Sequence, residues 1–363
     1  MSDRTPSPVT AVPTSSDPVL VGVLYDYPQA DHGALFEEAV RHGIAAVAES
    51  GRLDRAVELL PRQARGLPAG TAHDVERTFA ELVGAGVLLV LGPSVSDNGL
   101  LVGPLADAAG VPCINYTGGE RTRTHWMFHY QVGSLEEEPI VLVRHLARAG
   151  HSTVAVAHDR SPVGRRYAEC FADAAAAAGI DVSGQAALSP LAEDVTPVVA
   201  RLRASSPQAL VYLGLWVASR AVALAVAAEG WDVPVVANSA LMFGYARRDW
   251  RAGFEGWVYV DSVSDSNRMR AHLRQRSARS AAGPIGVAAY DMGRLVAEGL
   301  RRAVHLTRAG VAEGLEQVKQ LPASSGLEGT TMGFGHYDHA ALKGRYLVLR
   351  QWRAGKTVEV AEQ

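Results

Sequence analysis

The sequence predicts an α/β protein made of two doubly wound, Rossmann-like units in series. Three observations predict it. Short apolar runs alternate with helical patterns, the rhythm of a parallel sheet covered by helices on both faces. The runs are near-continuous Val, Leu and Ala, as in strands buried on both sides, and lack the alternation of a sheet with one wet face. The rhythm also starts twice, near residue 19 and again near residue 135. A chain of 363 residues, 48% hydrophobic and 20% charged, is long for one core and ample for two.

In order, "VLVGVLY" (19–25) predicts a strand, about 33–50 a helix, "AVELLP" (56–61) a strand, 72–84 a helix, "GVLLVLG" (86–92) a strand and 97–109 a helix. The short strand "VPCIN" (111–115) closes the first unit. The second has a helix over about 135–149, the strand "TVAVAHD" (153–159), a helix over 164–179 and the strand "QALVYLG" (208–214). Beyond 255, "EGWVYVDS" reads as a strand and 284–309 as one long helix. The tail "GRYLVLRQW" has the pattern of an edge strand or hairpin. Residues 1–18, rich in Pro, Ser and Thr, read as a disordered leader.

Composition excludes several classes. A net charge of -3 and aromatics unclustered with Arg give no nucleic-acid footprint. No run approaches the roughly 18–20 apolar residues of a membrane span, so no membrane insertion is expected. The leader lacks the charged start and apolar core of a secretory signal. The protein is therefore expected in the cytoplasm as written, and in the periplasm or at the cell surface only if an upstream signal has been omitted. Cys113 and Cys170 are expected as buried free thiols.

In open parallel sheets, ligands bind beyond the carboxyl ends of the strands, where helix N-termini present unpaired amides. "VLLVLGPSVSDNG" (87–99) is such a place, as are 114–120, 212–219 and 235–244. The first has neither G-x-G-x-x-G nor G-x-x-x-x-G-K-[ST], so it is no phosphate loop. "GPSVS" approaches a nucleophile elbow but carries Ser96 where a small Gly is needed. Ser94 and Ser96 are expected to cap the following helix. His125 and His129 have i, i+4 spacing, without the Glu or third ligand of a metal site. No motif supports catalysis, and no cofactor is implied.

Together, "VLLVLGPSVSDNGLLVGPLADAAGVPCIN", "AAYDMGRLVAEGLRRA" (288–303) and "YDHAALKGRYLVLRQWRAGK" (337–356) make the chain from about 19 to 360 resemble the type I periplasmic binding proteins of the branched-chain amino acid and amide-binding group. The resemblance implies two lobes joined by three crossover strands, closing by hinge bending on a ligand between them. The lobes would be 19–132 plus 261–332, and 133–260 plus 333–363. Ser96 falls on the family's ligand-anchoring Ser, Gly118 and Gly119 on residues completing that anchor, and Trp216 on its aromatic wall. Asn238 and Ser239 fall near the acid that grips an ammonium in amino-acid binders, and Val163 stands where a Tyr is usual. These departures lead us to expect an amide, a carboxylate or an amino-acid-like ligand, one without a free ammonium being favoured. By loop position, Tyr116, Thr117, Glu120 and the run Tyr25, Asp26, Tyr27 are expected to line the cleft.

The expected function is non-enzymatic small-molecule binding, as a cytoplasmic sensor with a regulatory protein as partner. One alternative is the solute-binding component of an ABC importer, its partner a permease. The other is an enzyme on the same fold, for which Asp26, Glu120 and Asp159 are the available side chains.

Overall fold

The computed structural model describes residues 17–26, 31–51, 53–245 and 247–361; most of the leader and Tyr27 lie outside the described residues. The first unit runs β1 (Val19–Tyr25), α1 (Asp31–Ala48), β2 (Val57–Gln63), α2 (Ala72–Gly84), β3 (Leu89–Leu91), α3 (Ser96–Ala109), β4 (Cys113–Asn115) and β5 (Met127–His129). Its five strands form one parallel sheet in the order β2-β1-β3-β4-β5. The second unit runs α4 (Glu137–Arg148), β6 (Thr153–Asp159), α5 (Pro162–Ala177), β7 (Asp181–Leu188), α6 (Thr196–Ala204), β8 (Ala209–Leu213), α7 (Trp216–Ala228), β9 (Val235–Ala237) and β10 (Val258–Asp261).

The chain then returns to the first unit with α8 (Arg268–Arg276), α9 (Pro284–Arg302) and α10 (Arg308–Glu316), α9 packing along α1. A small antiparallel sheet follows: β11 (Leu321–Pro322), β12 (Thr331–Met332) and β13 (Leu342–Lys343). Finally β14 (Val348–Arg353) and β15 (Lys356–Glu359) complete the second sheet, β15-β14-β10-β9-β8-β6-β7. Among the described residues the chain thus passes between the two large sheets three times. Side chains tie the passes to flanking helices: the Tyr130 hydroxyl donates to Asp291 of α9 (2.9 Å), and Tyr346 donates to Glu137 of α4 (2.8 Å).

Local chemistry accounts for the boundaries. Every residue of β3 and β8 is buried, as their unbroken apolar runs require. Thr71, Ser161 and Asn267 cap α2, α5 and α8, each accepting from the backbone amide three residues on, at 2.9–3.2 Å. The stretch read as one helix over 284–309 is two. Ala303 turns extended, and Thr307 accepts from the Gly310 amide (3.1 Å), starting α10 afresh. The tail is a hairpin: β14 pairs antiparallel with β10 on one side and β15 on the other. Cys113 is buried and Cys170 half-buried, and both are free thiols. No helix among the described residues is long and apolar enough to cross a membrane.

Candidate functional site

Both units turn the carboxyl end of a central strand toward one gap, and both use the same device to hold the loop there. Asp26, just past β1, is buried. Its carboxylate accepts from the Ser94 amide (2.9 Å) and hydroxyl (2.6 Å), the Val95 amide (2.9 Å) and Asn98 Nδ2 (2.8 Å). Asp159, the last residue of β6, accepts from the Ser161 amide (3.0 Å) and hydroxyl and from the Leu215 amide. Each clamped loop leaves its strand through a glycine. A Cβ on Gly92 (φ 109°) would lie 2.4 Å from the Leu24 carbonyl oxygen, and one on Gly214 (φ 154°) 2.3 Å from the Asp159 carboxylate. Neither Ser94 nor Ser96 caps α3, contrary to expectation: Val95 occupies the cap, and the Ser94 hydroxyl is taken by Asp26.

Between the units lies a cavity of about 90 Å³. That is several times the roughly 10–15 Å³ needed for one water, so it suits a small molecule rather than a peptide. Ser96, Tyr116 and Gly118 wall it from the first unit; Tyr167, Trp216 and Ser239 wall it from the second. Val132, Leu135, Val163 and Ile285 add apolar lining. Tyr116 is held by stacking on Phe36 (5.0 Å between centroids) and Trp216 by Trp250 (5.6 Å).

Six of the residues expected at the site therefore line one cavity: Ser96, Tyr116, Gly118, Trp216, Asn238 and Ser239. Asn238 has its amide turned to the backbone, donating to the Gly214 carbonyl (2.9 Å) and accepting from the Gly214 amide (3.3 Å). It fixes the loop before Trp216. Thr117, Gly119 and Tyr25 lie elsewhere. Thr117 is buried, its hydroxyl donating to Asn115 Oδ1 (2.9 Å). Gly119 borders an adjoining gap together with Ser96 and Asp97. Tyr25 turns away to the Gly33 carbonyl oxygen (3.0 Å). Of the side chains considered for catalysis, Asp26 and Asp159 are spent on the loops, and Glu120 is exposed. His129 does not pair with His125 as a metal ligand. It is buried between Thr117 and Arg123, and burial, reinforced by the Arg123 charge, drops its pKa to about 3.

Two carboxylates at the gap were not anticipated. Glu138 is fully buried, and its Oε1 accepts from the Ser134 amide (2.7 Å), the Tyr167 hydroxyl (2.8 Å) and the Ser239 hydroxyl (2.9 Å). Its Oε2 accepts from the Ser239 amide (2.6 Å). Burial outweighs these donors and pushes its pKa up to about 7. The only signal in the sequence was the Glu136–Glu138 run, which reads as the acidic first turn of a helix.

Asp97 lies in the adjoining gap with Pro162 and Val163 of the second unit, and its Oδ1 is buried with no hydrogen-bond partner among the described residues. Burial, and then the Asp159 charge, raise its pKa from 3.8 to about 6. Because the folded form holds this proton more tightly than the unfolded chain, stability contributed here falls as pH rises from about 4 through 6. Asp97→Asn should raise stability at pH 7 by on the order of 2 kcal/mol and flatten that fall. Thermal unfolding of both proteins between pH 4 and 7 checks it; parallel curves would remove Asp97 from the seam.

Strand ends from two α/β units meeting at a shared cavity define the two-lobed binding-protein fold. The chain belongs to the periplasmic binding protein family, whose model matches residues 18–356. Similar solved structures include a type 1 periplasmic binding protein from Bordetella pertussis Tohama I, 16% identical, with 95% of this chain and 100% of that one covered (TM-score 0.80). An ABC transporter substrate-binding protein from Desulfitobacterium hafniense in complex with Leu is 17% identical over 95% and 100% (TM-score 0.76). LivJ from Streptococcus pneumoniae, a branched-chain amino acid transporter substrate-binding protein in complex with isoleucine, is 15% identical over 95% and 100% (TM-score 0.79). No curated protein matches the sequence.

Proposed function

We propose that this protein is the solute-binding component of an ABC importer, closing two lobes on an amino-acid-like molecule and handing it unchanged to a permease. The observation that carries the reading is the cavity itself, walled by both units and lined by apolar side chains together with Ser96, Tyr167, Asn238 and Ser239. Ser96 and the backbone around Gly118 suit a carboxylate or amide oxygen. On the second unit's wall Ser239 and Tyr167 are backed by Glu138, whose carboxyl gives up its proton once an ammonium lies in front of it and then supplies negative charge one layer behind the surface. That charge favours an ammonium, and so replaces the expectation of a ligand without one, which rested on positions 238–239 alone.

The lobes proposed are 19–132 with 261–332, and 133–260 with 333–363; the pairing of β13 with β12 argues for moving the last boundary to about 344. The similar structures are described as periplasmic or transporter-linked, which supports the importer over the cytoplasmic sensor and favours a location outside the cytoplasm. Calorimetric titration tests the reading with leucine, isoleucine, leucinamide and 4-methylpentanoate. We expect the amino acids to bind at least a hundredfold more tightly than the deaminated acid. Trp216→Ala should weaken the best ligand by roughly 1–3 kcal/mol through lost apolar contact. Equal or tighter binding of 4-methylpentanoate would refute the ammonium assignment, and an unchanged affinity in Trp216→Ala would remove the cavity from the binding site.

A further inference from the structure

Away from the cleft, the end of α10 meets the segment 336–339 and the turn at 123–125. His339 is 5% exposed and stacks on Phe128, ring centroids 4.0 Å apart. Its Nδ1 lies 2.9 Å from the Thr124 carbonyl oxygen, which can only accept. Nδ1 therefore carries the hydrogen, and in the neutral ring Nε2 presents a lone pair. That nitrogen is buried and makes no hydrogen bond, yet it sits 3.5 Å from Glu316 Oε1. Acceptor faces acceptor, an arrangement that calls for a cation between them.

The neighbours are those a metal ion would use. Glu316 Oε2 lies 3.0 Å from His336 Nδ1, and the His125 ring faces His336 edge-on at 6.4 Å. The three histidines line one open cavity of about 280 Å³. Nitrogen and oxygen ligands at 2.0–2.1 Å around a tetrahedral zinc lie about 3.3 Å apart, within a few tenths of the His339–Glu316 separation. A metal-bound imidazole is usually fixed by its other nitrogen on a carbonyl or carboxylate, as Thr124 fixes His339. Among the described residues no three such side chains already surround one point. His336, with a side chain 59% exposed, has room to swing in. Arg123, the cation lining the same cavity, directs its Nε to His129 Nδ1 (3.1 Å).

We propose that His339, Glu316 and His336 bind one divalent transition metal ion of the zinc class, with His125 as fourth ligand. The ion fastens α10 to the segment leading into β13, whose His339 carbonyl accepts from the His129 amide (2.8 Å). The test uses the full chain, stripped with a chelator and titrated calorimetrically with zinc chloride, then with cobalt(II), read by its visible absorption. We expect one ion per chain, a tetrahedral cobalt spectrum and a raised melting temperature. Glu316→Gln and His336→Ala, both at partly exposed positions, should each lower the affinity at least tenfold, and His339→Gln should abolish binding. No binding, or binding that Glu316→Gln and His336→Ala leave unchanged, overturns the proposal. So does a melting temperature that responds to pH but not to metal, since a proton would then be the cation between His339 and Glu316.

Discussion

Asp26→Ala should destabilise the protein by about 3–5 kcal/mol, whereas Asp54→Ala, at an exposed carboxylate paired among the described residues with its neighbour Arg55, should change stability by less than about 0.5 kcal/mol. The difference lies in what each carboxylate leaves behind. Removing Asp26 strips partners from two backbone amides, a hydroxyl and an Asn amide in a buried loop, and each unpaired buried donor costs roughly 1–3 kcal/mol. Ser96 follows this loop directly, so ligand affinity should fall along with stability. Denaturant unfolding checks the first effect and titration of the best ligand the second. A loss below about 1 kcal/mol would mean that the loop holds its shape without the clamp.

Glu138→Gln should have a comparably large effect at the opposite wall. A carboxylate offers acceptors to all four of its donors, whereas the amide sets an N–H₂ against one of them, so the Ser239–Tyr167 end of the cavity loses its order. Ligand affinity should drop at least tenfold. The wild-type carboxyl has an unfolded value near 4.5 and is pushed up to about 7 in the fold, so the native state binds the extra proton between those limits. Stability from this group is fully present below about pH 4.5 and falls as pH rises to about 7, by roughly 3 kcal/mol. The Gln variant should lack that slope. Denaturant unfolding across pH 4.5–7.5 separates the outcomes, and parallel slopes for the two proteins would show that Glu138 titrates normally.

The fold was legible where burial is two-sided. "VLVGVLY", "TVAVAHD" and "QALVYLG" announce central strands because nothing polar interrupts them. Strand β7 (Asp181–Leu188) escaped because it is an edge, flanked only by β6, and its Gln185 faces water between more protected neighbours. Its apolar signal is diluted to the level of a loop. The cavity was legible where a strand end meets a helix start, which located Ser96 and Trp216 on opposite walls. Thr117 and Tyr25 show the limit of that rule, since position in a loop does not say which way a side chain points. Glu138 and Tyr167 were invisible for another reason. Each sits within a helix whose own pattern explains it, and only the meeting of α4, α5 and the segment after β9 turns them into one polar cluster.

The paired aspartate clamps have a consequence for selectivity. Under the proposed closure both loops stay pinned to their own sheets, so each wall keeps its contour and the cavity behaves as two stiff halves of a mould. A solute smaller than the mould still lets the halves meet and forgoes only its missing contacts, about 0.8 kcal/mol for each absent methylene. A solute too long by one atom props them apart, and every contact with the second half weakens at once. Discrimination against undersized solutes should therefore be gradual, and rejection of oversized ones abrupt.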